Sequence, residues 1–206
     1  MISLLDCYLP VFKQVLRMIG EPEAFTDYAE CRQRCIGLLE QAIHDADRLD
    51  RCEDEKMAAR VAVIAWLDET VLRSTLPWSQ RWQSELLQRK YLDLTVAGER
   101  FFTLLAQLDL AHEQAREVFL FCLQQGFHGQ YSTADIRPAL QSLIAEQRSL
   151  CLPEAWQTWP NDAELVPGPV VPTGTISQRL RPLLTMAASV ASLYVILFFL
   201  LYYYVS

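Results

Sequence analysis

Residues 58–72 read AARVAVIAWLDETVL, and this stretch decides the fold. It is apolar nearly all round a helical wheel, which places it at the centre of a helical bundle rather than on its surface. With Val61 set to zero and about 100° per residue, Met57 falls near about −40°, Ile64 near about −60° and Leu72 near about +20°. Asp68 falls near about −20°, in the middle of that stripe, and Glu69 near about +80°, on its edge. A carboxylate among apolar groups costs several kcal/mol unless it is paired or hydrogen-bonded. Asp68 therefore meets an internal donor (a helix N-terminus, an indole N–H or an Arg), or it lines an acidic cleft used by a partner. A catalytic carboxylate is the third reading.

Working outward, the apolar spacing stays helical through the first 150 residues, with few glycines and no alternating β-branched run. The spacing predicts an all-α domain of about seven helices. A first helix covers 3–19, with Pro10 as a point of disturbance. A second covers 27–49, capped by Thr26 or Asp27 with Glu30 three residues on. The central helix covers 54–74. A fourth covers 79–89, capped by Ser79 after Pro77, and a fifth starts at Gly98. A sixth covers 113–125 and stops at Gly126, a natural left-handed terminator. A seventh covers 134–149 with Pro138 in its first turn.

Residues 77–82 read PWSQRW, a rigid aromatic connection. Trp78 and Trp82 either pack in the core or face a partner, and their spacing lets them stack or bracket Arg81. The stretch QGFHGQY at 125–131 is a tight turn without phosphate-loop spacing. His44, His112 and His128 are scattered with no HExxH pattern, and no serine sits in GxSxG. These residues carry no catalytic, cofactor or metal constellation, so a non-enzyme is expected. The six cysteines show no CxxC pair and read as small apolar residues in a reducing compartment.

Beyond residue 150 the composition changes. Pro153, Pro160, Pro167, Pro169, Pro172 and Pro182 mark an extended linker over 151–182, whose first half is expected to pack back through Trp156 and Trp159. Residues 183–205 then form an uncharged apolar run. At roughly 1.5 Å per residue it reaches about 35 Å, enough to cross a hydrocarbon core of about 30 Å. Arg179 and Arg181 precede it and no Lys or Arg follows. The positive-inside bias places domain 1–150 in the cytoplasm and the C-terminus outside, with Tyr202, Tyr203 and Tyr204 at the far interface. Met1 to Pro10 shows no signal-peptide pattern, so a single-pass tail anchor is expected. All charge precedes this span, so the net charge of −7 belongs to the part outside the membrane, which argues against nucleic-acid binding. Ala187, Ala188, Ala191 and Ser192 offer a small-residue face for a homodimer.

The blocks AWLDETVL (65–72), PWSQRWQSELLQ (77–88), GERFFTLLAQL (98–108) and FCLQQGFHGQY (121–131), in that order and spacing, resemble the DotU/TssL (IcmH-like) proteins. These are inner-membrane components of type VI secretion systems, with relatives in type IVB systems. The resemblance covers about residues 5–150 plus the terminal span. It implies helices in two small bundles that form a hook with a cleft. It further implies a TssM/IcmF-like membrane partner, the TssJ lipoprotein indirectly, and docking of a TssK-like baseplate protein. The family's LDE acids lie near the cleft, so Asp68 and Glu69 carry over as partner-binding residues. Leu92 and Asp93 replace the aromatic-His-Gly-Glu stretch that members often carry. Members with a peptidoglycan-binding domain carry it after the span; here wall anchoring is expected to need another subunit. The resemblance thus implies a scaffold of the type VI membrane complex, against the alternative of a stand-alone tail-anchored helical regulator.

Overall fold

The computed structural model describes residues 2–94, 96–131, 137–153 and 156. Among them lie eight α-helices and no strand. They are α1 (Leu4–Gly20), α2 (Tyr28–Asp47), α3 (Glu53–Arg73), α4 (Ser79–Ser84), α5 (Leu87–Leu92), α6 (Ala97–Gln107), α7 (Glu113–Gln124) and α8 (Arg137–Cys151). Short 3₁₀ turns follow α1 at Pro22–Ala24 and α7 at Gly129–Tyr131. The expected linker 151–182 falls almost wholly outside the described residues, and the expected span 183–205 does so entirely. Among the described residues no helix is long and apolar enough to cross a membrane.

Two helix starts are capped locally. Ser3 and Asp6 form a reciprocal capping box on α1, and Asp27 accepts from the N–H groups of Ala29 and Glu30 to start α2. Helix α1 runs through Pro10 without a break; the proline gives up the bond to the Asp6 carbonyl, and both residues lie on the exposed side, where water can reach that carbonyl. At the end of α7, Gly126 sits at φ +85°. The Gly126 N–H bonds Leu123 O and the Phe127 N–H bonds Cys122 O, the paired bonds of a Schellman stop.

Helix α3 is the spine. It packs against α1, α4, α5, α6 and α7 and buries Val61, Ile64, Trp66, Leu67 and Val71. Aromatic rings knit the core: Phe12 of α1 meets Trp66 of α3 with centroids 4.5 Å apart, and Phe101 of α6 meets Phe119 of α7 at 4.6 Å and Phe127 at 4.3 Å. The apolar stripe is less completely covered than the wheel predicts. Met57 is 49% exposed and Leu72 37% exposed, because each opens onto a surface groove, while Glu55, Lys56 and Val71 beside them are buried.

The expected fourth helix, 79–89, is two helices broken at Glu85 and Leu86. Ser79 is the first helical residue of α4 rather than its cap, and Trp78 holds the cap position. The physical reason lies elsewhere in the chain. Helices α3 to α7 all start without a side-chain bond from their own cap residue. Three of these starts are served by remote side chains: Asp68 on α3 takes the first N–H groups of α5, Gln88 on α5 takes that of Ala97 in α6, and Glu55 on α3 takes those of Gln114 and Ala115 in α7. Gln114 in turn accepts from Leu4 N–H at the start of α1.

Candidate functional site

Adjacent acids on a helix point about 100° apart, so Asp68 and Glu69 serve different neighbours. Asp68 is 2% exposed. Its Oδ1 accepts the Trp82 indole N–H at 2.8 Å and Leu87 N–H at 3.1 Å, and its Oδ2 accepts Gln88 N–H at 2.8 Å. Burial pushes its carboxyl above the ordinary carboxylate range, while these three donors and Arg32 pull it back. Of the readings open in the sequence, the internal donor describes its surroundings, and it finds two kinds at once: an indole and a helix N-terminus.

Glu69 has a side chain 20% exposed. Its Oε1 accepts His128 N–H at 2.9 Å and its Oε2 accepts Gly129 N–H at 2.8 Å. Arg73, one turn on, donates to Glu69 at 3.1 Å and to Gly126 O at 3.0 Å, and also touches His128 Nδ1. One acid thus holds the α4–α5 corner and the other holds the turn after α7. Between those two elements lies a cleft of about 370 Å³ whose lining includes Asp68, Glu69, Leu86, Val96, Glu99 and Phe127.

Two glycines make the cleft wall thin enough to close. A side-chain carbon on Gly98 would lie 3.2 Å from Gly129 Cα, and one on Gly129, at φ +50°, would lie 2.8 Å from the Phe102 ring. The 98–102 and 127–131 segments therefore press together at Gly98, Gly129 and Phe102, and the second of them is bonded to Glu69.

Trp78 and Trp82 do not face a partner in this structure. Both are buried, with centroids 6.0 Å apart, and each indole N–H is used inside: Trp78 on Phe25 O at 2.8 Å, Trp82 on Asp68. They do not bracket Arg81, which lies over the Tyr28 ring at 4.3 Å; Arg32 covers Trp82 at 4.9 Å. The cysteines also need correction. Cys7, Cys31, Cys35 and Cys122 are buried as expected, but Cys151 is half-buried and Cys52 is exposed beside His112. Among the described residues no group of three or more His, Cys, Asp or Glu could hold a metal ion.

Sequence reading missed Glu55, Gln88 and Arg116. Arg116 is buried in α7, donates to Gln147 Oε1 at 2.8 Å and to Leu108 O at 2.9 Å, and so ties α7 to α8 and to the end of α6. The anomaly that exposed Asp68, a charge on an apolar face, is present at Arg116 among Ala115, Val118 and Phe119. Gln88 and Glu55 carry no such mark, since both lie in polar surroundings of the sequence.

The family described as "Type VI secretion system protein DotU" matches residues 3–205. A solved structure, the cytoplasmic domain of TssL from Acinetobacter baumannii, matches with a TM-score of 0.62 and 26% sequence identity, covering 73% of this chain and 98% of that one. Among curated proteins, none matches.

Proposed function

The chain belongs to the DotU family of type VI secretion system proteins, and from that premise we propose that it is a membrane-anchored scaffold whose helical domain docks other components of the machine. The observation that carries this reading is the cleft at Asp68 and Glu69, a concave surface held between two elements by acids of the spine helix. The reading divides the chain into a cytoplasmic domain over 1–150, a linker over 151–182 and an inner-membrane span over 183–205. Its function is structural, without a catalytic step. The packing of α1 on α2 and of α7 on α8, with α3 touching both α1 and α7, supports the two-bundle description with the cleft beside the spine.

The partners of this reading are a TssM/IcmF-like membrane protein, through it the TssJ lipoprotein, and a TssK-like baseplate protein at the cytoplasmic face. Small residues in the span favour a homodimer as a further contact. The test is co-purification from membranes with tagged TssM-like and TssK-like proteins, for the full chain and for a chain lacking 183–205. Loss of the TssM-like partner and of secretion on truncation is expected. Normal secretion by the truncated chain refutes the anchored scaffold, and intact sheath assembly without the protein points to the stand-alone regulator instead.

A further inference from the structure

Five of the six cysteines are buried or half-buried. Burial raises the thiols of Cys7, Cys31, Cys35, Cys122 and Cys151, with Cys35 pushed up to about 12 and Cys151 to about 11. Cys52 is different in place and company. It is exposed at the cap position of α3, and its Sγ lies 3.1 Å from His112 Nε2, at the cap position of α7. His112 is itself fixed, its N–H bonded to Asp109 O and its carbonyl accepting Arg116 N–H. A groove of about 520 Å³ opens beside the pair, lined by Asp54, Met57, Arg100, Leu104 and His112 among others. A groove of that size admits a small peptide-like molecule.

We propose that Cys52 and His112 form a thiol–imidazole nucleophile that takes low-molecular-weight disulfides, making Cys52 the position where this protein acquires a mixed disulfide. In the exchange the Cys52 proton passes to His112 Nε2 and Sγ attacks one sulfur of the disulfide. The new Cys52–S bond forms as the old S–S bond breaks, and the departing thiolate takes the proton back from His112 and leaves as a free thiol. No outside oxidant is needed, because the disulfide is itself reduced. Arg51, Glu53 and Asp54 flank Cys52 in the chain and Asp109 and Glu113 flank His112, while Asp54 and Arg100 line the groove with His112. Arg100, which lines the same groove as His112, offers a cation to a carboxylate of the incoming molecule. Glu55 is engaged with the N–H groups of Gln114 and Ala115.

The test treats the full chain in detergent with oxidised glutathione at pH 7 and maps mixed disulfides by peptide mass spectrometry. Cys52 is expected to react about tenfold faster than the half-buried Cys151, and His112→Gln to slow Cys52 about tenfold while Cys151 keeps its rate. At about pH 9.5, where an unaided thiol ionises, the difference between the two chains should shrink. Equal Cys52 rates in both chains at pH 7 overturn the proposal, since that is the behaviour of a merely exposed thiol. If circular dichroism shows His112→Gln to be misfolded, His112→Asn takes its place under the same criterion, and a wild-type Cys52 no faster than Cys151 overturns the proposal outright.

Discussion

Replacing Asp68 by Ala removes the acceptor from three buried donors at once: the Trp82 indole and the N–H groups of Leu87 and Gln88. A buried donor left unpaired costs about 1–3 kcal/mol. The three costs do not simply add. The alanine is relieved of the carboxylate's own desolvation, which is the largest influence on the Asp68 pKa. Helix α5 has only six residues and can fray to let water reach its first N–H groups. A net loss of about 2–4 kcal/mol results, which for a domain of this size lowers the melting temperature by roughly 5–15 °C. Asp68→Asn is the sharper probe. With its oxygen turned to Trp82 and Leu87, its amide faces the Gln88 N–H, so one bond is lost and two donors meet, costing about 1–3 kcal/mol. The pH dependence has a definite sign. A carboxyl raised in the fold binds its proton more tightly there than in the unfolded chain. Ionising it therefore costs stability, and that cost is relieved as pH falls through the folded value. Wild type should thus gain stability relative to Asp68→Asn as pH falls from about 7 towards 4. Urea unfolding followed by circular dichroism at each pH measures all of this. Variants within about 0.5 kcal/mol of wild type, or a wild-type advantage that shrinks at low pH, refute the reasoning.

Glu69→Gln keeps one good acceptor for the turn, whereas Glu69→Lys leaves both the His128 and Gly129 N–H groups without one. Amide exchange over 126–131 should rise modestly in the first and by more than tenfold in the second; equal exchange in both counts against the bracing role. Gly129→Ala must displace the Phe102 ring in a left-handed backbone, and should cost about 1–3 kcal/mol in urea titration. Glu55→Ala strips the start of α7 and should cost about 1–3 kcal/mol, with exchange rising first at Gln114 and Ala115; unchanged exchange there rules out the remote cap.

The helices legible in the sequence were those with local punctuation. Ser3, Asp27 and Gly126 act on their own neighbourhood, and the elements they bound fall within two residues of expectation at those ends. The α4–α5 break was not legible because its cause is Asp68, seventeen residues before the break at Glu85. The candidate site was legible for the opposite reason. A charge in an apolar stripe is a local anomaly, and Asp68 carries it. What periodicity could not supply was the destination of each carboxylate. Nor could it foresee that Gly98 and Gly129 would press together beside Glu69.

The bonding of the two acids bears on how the docking reading must be tested. Both Glu69 oxygens are occupied by the turn that forms one cleft wall, so a charge reversal at Glu69 changes the wall as well as the charge. Lost partner binding in that variant would not distinguish a broken contact from a reshaped cleft. Glu99 separates the two. It lines the same cleft, is exposed, and lies in the first turn of α6. Glu99→Lys reverses a charge at the cleft while leaving the Glu69 bonds to His128 and Gly129 in place. If a partner reads the charge of the cleft, Glu99→Lys should weaken its binding several-fold with unchanged amide exchange over 126–131, and the loss should soften as salt is raised. If a partner reads the cleft's shape, Glu99→Lys should bind normally while Gly129→Ala, which moves the wall without touching charge, should not. Normal binding by both variants would remove the cleft from the docking surface altogether and leave Asp68 and Glu69 as residues of the fold.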